Sequence, residues 1–344
     1  MIYRKVRGLQ HIIISDPTLR DGSHAIKHQL NRKQIATYAA LAESAQIPIL
    51  EVGHGNGLGA SSLQLGESLI SDTDMLEACR ENLQQTKLGV HVIPGFATIS
   101  RDLRSAIDLG VDVVRVASHC TEADITKRHI EYARSREKEV YGVLMMSHMA
   151  SAARLVEEAQ KLESYGAMGV VLMDSAGAYL PHDVQEKVSA LTGSLGVPVG
   201  FHAHNNLGLA IANSITALEN GATILDGTIR GFGAGAGNAQ LEVLVTVLHK
   251  MNYDTGIDYY KLLDIADIAE KDFVKIPYIN SSNIVSGVAG VFSGFAKPVE
   301  RIAKEYNVDP KDVFFELGKR KVVAGQEDLI IEVAEALAKH KINM

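Results

Sequence analysis

Eight short runs rich in β-branched residues recur between residue 11 and residue 228, and longer amphipathic stretches separate them. The runs are HIIIS from residue 11, PILEV from 48, LGVHVI from 88, VDVVRVAS from 111, VYGVLMM from 140, GVVLMDS from 169, VPVGFHAH from 197 and ATILDGT from 222. Their composition and length predict strands. The stretches between them, among them NRKQIATYAALAESA, TKRHIEYARSR and ASAARLVEEAQKLESYG, place apolar residues three and four apart, which predicts helices. Alternation of this kind builds a parallel sheet with helical crossovers. Eight βα units close most economically into an α/β fold of the (β/α)8 TIM-barrel kind, with a doubly wound open sheet as the alternative.

The chain is 344 residues long, more than the about 250 that such a barrel usually takes. From residue 255 the text turns helical: YYKLLDIADIAEKDF, then the Gly-rich SGVAGVFSGFAKPVERIAKEY, then EDLIIEVAEALAKH. We therefore expect a catalytic barrel over residues 1–255 and a helical subdomain over 256–344, serving dimerisation or partner docking. The stripe of Ile330, Val333 and Leu337 in the last helix reads as ordinary core rather than a partner surface. A net charge of −7 leaves no electrostatic footprint for nucleic acid. Cys79 and Cys120 are too few for a disulfide framework or a thiolate zinc site and suit a reducing compartment, so a cytoplasmic protein is expected. The opening MIYRKVRGLQ lacks an apolar segment behind its basic residues, and no uncharged stretch approaches the roughly 18 residues of a membrane helix, so neither export nor a membrane span is expected.

In a parallel barrel the chemistry gathers where strands end and βα loops begin. His202 and His204 stand at such an end, and a spacing of two puts both side chains on one face of the strand. Buried imidazoles need partners, so the pair is either a set of hydrogen-bonded structural histidines or half of a metal site. The first βα junction, SDPTLRDGSHAIKHQL, packs Asp16, Arg20, Asp21, His24 and His28 together. Salt bridging, helix capping and solvated charge explain any one of these, but one carboxylate with two imidazoles makes a facial set suited to a divalent ion. Other strand ends carry Glu51, His54, Ser118, His119, His148, Asp174, Ser175 and Asp226, each more ordinarily an orienting or structural group when taken alone. No lysine stands at an expected strand end, which disfavours a Schiff base and favours metal-dependent chemistry.

The motifs DPTLRDGSHA, EVGHGNGLGASS, VRVASHCTEAD, LMMSHMAS, ESYGA, DSAGA, FHAHNNLGLAIANS, GAGAGNAQLEV and GKRKVVAGQEDLI resemble, in order and over nearly the whole chain, the 4-hydroxy-2-oxovalerate aldolases. These belong to the metal-dependent TIM-barrel metallolyases. The resemblance implies cleavage of a 4-hydroxy-2-oxo acid to pyruvate and an aldehyde, in the setting of aromatic hydrocarbon catabolism. It implies Asp21, His202 and His204 as ligands of a divalent ion, usually manganese (Mn2+) with Mg2+ or Co2+ as substitutes. It implies His24 as catalytic base and Arg20 as the arginine that binds substrate and stabilises the enolate. Asp21, Ser175, His202 and Phe292 fall at substrate-contacting positions. It further implies an acylating acetaldehyde dehydrogenase as partner, in a homodimer or heterotetramer.

Four positions depart from the family pattern. Val288 and Phe292 in GVAGVFSGF replace tyrosines, so selection of the aldehyde's face or chain length is expected to differ; Asn205 and Asn56 replace titratable groups. Two other readings stay open at this level. A Claisen-type acyltransferase of the isopropylmalate-synthase kind would share the metal and the arginine but need a site for CoA phosphates, and no basic cluster near the mouth is visible in the sequence. An inactive scaffold for a dehydrogenase would have no need of Arg20, Asp21, His24, His202 and His204 together.

Overall fold

The computed structural model describes residues 11–323 and 325–342; the N-terminal residues read above for export lie outside them. Eight parallel strands close into a barrel in chain order: β1 (Ile13–Leu19), β2 (Ile49–Val52), β3 (Lys87–Val92), β4 (Val113–His119), β5 (Glu139–Met145), β6 (Gly169–Asp174), β7 (Val199–Ala203) and β8 (Ile224–Asp226), with β8 pairing back onto β1. All eight expected strands are present, and the open-sheet alternative falls with the closure. Among the described residues no helix is long and apolar enough to cross a membrane.

β1 runs four residues further than its β-branched run suggests. Pro17 has no N–H for the ladder, and the register with β2 shifts between Asp16 and Leu19 to accommodate it. Asp16 accepts from the Thr18 backbone N–H (2.9 Å) and the Thr18 hydroxyl, which closes a local turn. The apparent loop is thus a bulged strand end. It delivers Arg20 and Asp21 to the barrel mouth at the start of a short 3-10 turn, Asp21–Ile26.

Alternation inside the barrel separates an apolar layer from a polar one. Ile13, Ile49, Val113 and Ile224 belong to the interior apolar cluster. Two residues further along the same strands, on the same inward face, stand Ser15, Glu51, Arg115 and Asp226, all at most 2% exposed. His202 of β7 joins this polar layer. The catalytic end is therefore polar from within.

The helix Tyr259–Asp272 buries Leu262, Ile265, Ala266 and Ala269 in the barrel's own core. This helix follows the expected division at 255 and packs on the barrel. A second core, with Val291, Phe295, Val299, Phe314, Leu317, Ile330 and Val333, holds together the helices Ser281–Ala289, Ala296–Glu305, Pro310–Lys319 and Asp328–Ile342. Ile330 and Val333 are each 1% exposed, so the stripe of the last helix is core, as its spacing suggests. The tail is tied to the mouth by His148 Nε2 to the Gly290 carbonyl (2.9 Å), the Ser293 N–H to the Ser175 carbonyl (3.0 Å) and Asn206 Nδ2 to Ser293 Oγ (2.9 Å).

Candidate active site

Asp21, His202 and His204 come together at the mouth, and each offers one ligand atom within 4.8 Å of the others. All three are at most 3% exposed. The two imidazoles meet edge to face with ring centres 5.1 Å apart, as the shared strand face requires. Asp226 Oδ2 sits 2.8 Å from His202 Nδ1. Burial raises the Asp226 carboxyl, but Arg115 and the His202 hydrogen bond outweigh it and hold the group below its ordinary value. A carboxylate only accepts, so Nδ1 carries the proton and Nε2 faces the site with its lone pair.

Arg20 is the second organising group. Its Nε donates to Glu51 Oε1 (2.5 Å) and its Nη1 to Asp21 Oδ1 (3.1 Å) and the Gly55 carbonyl (3.2 Å). Among the described residues its Nη2 has no partner, and neither have His202 Nε2 and His204 Nδ1. Buried polar atoms left unpaired are costly, so these three atoms await something. Burial raises Glu51, but Arg20 and Arg115 overcome it and bring its carboxyl down to about 2. Burial likewise opposes ionisation of Asp21, yet His204 and Arg20 hold it well below the usual carboxylate range.

This donor set fits a divalent ion. Two guanidiniums, Arg20 and Arg115, face three carboxylates, Asp21, Glu51 and Asp226, within one buried network. One negative charge is left over. A divalent cation overfills that deficit by one, which a single substrate carboxylate balances, and two imidazoles with one carboxylate leave coordination positions open. Asn238 Nδ2 donates to Asp21 Oδ2 and fixes the carboxylate from the far side. Gly233 must be glycine here, since a Cβ would overlap Asn238 and the Asp21 carboxylate.

His24 lies beside this set, its ring centre 5.0 Å from that of His28 and within electrostatic reach of Asp21 and Arg20. Burial is the main force holding it below its ordinary value, and Arg20 adds to this against the pull of Asp21, so the ring is neutral at pH 7. His24 borders a cavity of about 280 Å3 lined also by Gly233, Gly235, Lys275, Ser293 and Lys297. Phe292, its ring centre 6.4 Å from that of His24, borders a second cavity of about 270 Å3 together with Ser118, His119, Met145 and Ser175. The Ser175 hydroxyl accepts from the Met146 N–H (2.9 Å). The three candidate ligands lie deeper and line neither of these cavities.

Other residues singled out in the sequence have structural duties. His28 and His54 stack with centres 3.6 Å apart. His54 uses both ring nitrogens on backbone, Nε2 on the Gly66 carbonyl (3.0 Å) and Nδ1 on the Asn56 N–H (3.1 Å), while His28 Nδ1 takes the Gly55 N–H (3.3 Å). They shape the wall behind His24. Asp16 is bound by Tyr38 and Thr18, Asp174 by the N–H groups of Ala178 (2.9 Å) and Tyr179 (3.1 Å), and Asn205 Oδ1 takes the Ala210 N–H (3.2 Å). Val288 is 63% exposed on the helix Ser281–Ala289, so of these two positions only Phe292 stands beside His24.

Sequence reasoning missed three groups. Arg115 is a lone charge in an apolar strand run, a signal that was available. Asn238 lies in the Gly-rich GAGAGN segment and could be placed only by the fold. The third is a basic cluster: Lys275 and Lys297 line the first cavity, Lys27 lies within electrostatic reach of Lys297, and Lys297 Nζ reaches the Ala25 carbonyl. The mouth therefore does carry the positive charge that the linear sequence conceals.

Comparison with known proteins agrees with this geometry. Residues 11–269 match the HMGL-like family, and residues 277–339 match the DmpG-like communication domain. A 4-hydroxy-2-oxovalerate aldolase of Pectobacterium atrosepticum is 62% identical over 333 residues, covering 96% of this chain and 97% of that protein. One of Spirochaeta aurantia is 64% identical over 327 residues, covering 95% and 96%. The carboxyl transferase domain of Rhizobium etli pyruvate carboxylase superimposes with a TM-score of 0.82 at 16% identity, covering 97% of this chain and 61% of that one, a likeness of fold alone. With the barrel, the buried Asp-His-His set and near full-length identity in agreement, this chain belongs to the 4-hydroxy-2-oxovalerate aldolase family.

Proposed function

We propose that the protein is a divalent-metal aldolase that cleaves a 4-hydroxy-2-oxo acid, such as 4-hydroxy-2-oxopentanoate, reversibly to pyruvate and an aldehyde. The observation that carries this is the convergence of three ligand atoms within 4.8 Å beside an arginine whose Nη2 is buried and unused. Asp21, His202 and His204 hold the ion, with Mn2+ the expected occupant and Mg2+ or Co2+ able to replace it. When bound, the ion supplies Lewis acidity at the 2-oxo group.

The residues divide the remaining work. Arg20, held on its other edges by Glu51, Asp21 and Gly55, presents Nη2 to the substrate carboxylate or to the oxygen where enolate charge develops. His24, neutral at the working pH, takes the proton from the 4-hydroxyl. The C3–C4 bond then breaks, its electron pair passes to C3 of the pyruvate enolate, and the hydroxyl oxygen becomes the aldehyde carbonyl. Return of the proton to C3 completes pyruvate. Ser175 lies at the oxo-acid side of the second cavity, and Phe292 packs against the aldehyde half without a hydroxyl to direct it.

The tail, residues 277–339, docks an acylating acetaldehyde dehydrogenase. Tyr278, Ile279, Ile284 and Val288 are each at least 42% exposed at its start, an apolar surface that such a partner covers in a heterotetramer. Co-elution of the two proteins tests the docking, with a homodimer as the contrary result; a cytoplasmic location is checked by fractionation. The reaction is tested by following pyruvate release from 4-hydroxy-2-oxopentanoate by metal-stripped protein, with and without Mn2+, beside His202→Ala. Pyruvate that requires Mn2+ and is lost in the variant supports the reading. Absence of pyruvate with Mn2+ bound overturns it.

A further inference from the structure

Arg115 of β4 is 1% exposed in the centre of the barrel and touches no group that the reaction uses directly. Its Nη2 pairs with Asp226 Oδ2 (2.6 Å) and its Nη1 approaches Glu51 Oε2 (3.5 Å) and Ser15 Oγ (3.4 Å). Asp226 Oδ2 is also the acceptor for His202 Nδ1, and Glu51 is also the acceptor for Arg20 Nε. One planar guanidinium therefore joins the carboxylate that orients a metal ligand to the carboxylate that orients the substrate arginine. The path His202, Asp226, Arg115, Glu51, Arg20 crosses the interior through three hydrogen bonds and one ion-pair contact, the 3.5 Å approach of Arg115 to Glu51.

We propose that Arg115 is a positioning residue that sets metal affinity and Arg20 geometry together. A buried carboxylate keeps its charge and its direction only while it is paired. Without Arg115, Asp226 keeps one partner, the His202 imidazole, and nothing else fixes the direction in which that pair settles. Glu51 keeps only Arg20, and nothing fixes where that pair settles. Lysine cannot replace the bridge, because a single ammonium lacks the fork that meets two carboxylates at once. Groups that orient a ligating histidine are worth 10- to 100-fold in metal affinity, and Arg115 adds to this an effect on substrate binding through Glu51.

The inference rests on the reading of Asp21, His202 and His204 as ligands, and the test keeps the two apart. Mn2+ affinity is measured by isothermal titration for wild type, Arg115→Lys and Arg115→Met, with circular dichroism checking the fold; KM and kcat are then measured at saturating Mn2+. Arg115→Lys keeps charge and length and carries the test where Arg115→Met does not fold. The expected result is Mn2+ affinity about 10-fold weaker or more in a folded variant, with KM at saturating Mn2+ raised at least about threefold and kcat changed less. Folded variants whose Mn2+ affinity lies within twofold of wild type overturn the inference. So does weakened metal binding with unchanged KM, since Arg115 would then serve Asp226 alone. Wild-type protein that binds no Mn2+ overturns the ligand reading instead.

Discussion

Replacing Arg20 by lysine separates charge from geometry at the centre of the site. The guanidinium makes three contacts at once, at 2.5 Å to Glu51, 3.1 Å to Asp21 and 3.2 Å to the Gly55 carbonyl, and still has Nη2 to spare. A lysine ammonium in the same place carries the same charge but is a single nitrogen, and the two carboxylates, both buried, will claim it. The donor lost is therefore the one that faces substrate. Losing one preorganised donor at a developing oxyanion costs about 3 to 4 kcal/mol, or on the order of 10² to 10³ in rate. We expect kcat/KM for pyruvate formation to fall by that factor in Arg20→Lys while Mn2+ affinity, which the proposed ligands Asp21, His202 and His204 would set, moves by less than about 10-fold. Steady-state kinetics at saturating Mn2+ and a metal titration on the same preparation measure both. A variant with kcat/KM within tenfold of wild type would refute the assignment of Nη2 as the substrate donor.

His24→Asn removes the proposed base and should lower kcat by about 10² to 10⁴ with little change in Mn2+ binding; because burial and Arg20 hold the imidazole low, the acid limb of the wild-type kcat/KM profile should lie below the ordinary histidine range near 6.5. Phe292→Ala should open the wall of the second cavity, of about 270 Å3, and raise the ratio of kcat/KM for longer-chain 4-hydroxy-2-oxo acids over the five-carbon substrate; an unchanged ratio would remove Phe292 from chain-length selection. Lys275 and Lys297 line the first cavity and Lys27 lies near Lys297, so kcat/KM for an anionic substrate should fall as ionic strength rises, and Lys275→Glu should lower it most at low salt; a flat salt profile would count against steering. Asp16 is raised by burial to about 6 from 3.8. Between those values the folded protein binds more protons than the unfolded chain, so Asp16 makes stability fall as pH rises through this window, by an amount on the order of 3 kcal/mol. Asp16→Asn should flatten that slope in urea titrations at pH 4.5 and 7.

The barrel was legible because each strand of a parallel barrel is buried on both faces and writes itself as a dense apolar run. Its eight runs appear within a few residues of their structural limits. β1 was cut short at Ser15 because Pro17 and two aspartates look like a turn, and only the neighbouring strand shows that a bulge carries the ladder to Leu19. Where the helix after residue 255 packs was hidden for a related reason. An amphipathic helix such as Tyr259–Asp272 has the same text whether its stripe packs on a barrel or on its own small core, and only the contacts of Leu262 and Ile265 decide. Among the site residues, the pair His202 and His204 could be read because their spacing is local. Lys27, Lys275 and Lys297 could not, since 270 residues of chain separate groups that end at one rim.

His28 and Arg115 show why residue type alone misleads about function. His28 stands four residues from His24 in the same polar junction, yet it is packed against His54 and takes a backbone N–H on Nδ1, so it serves the shape of the wall. Arg115 stands within the strand run VDVVRVAS. An unpaired guanidinium inside a barrel would be ruinous, so its position on the inward face obliges the fold to supply carboxylates there, and Glu51 and Asp226 are those carboxylates. Once they are placed for Arg115, their second oxygens and remaining lone pairs are fixed in direction, toward Arg20 on one side and His202 on the other. The catalytic geometry at the mouth is thus inherited from a charge balance one layer down, in which the deficit of one positive charge is left open where a divalent ion and an anionic substrate meet.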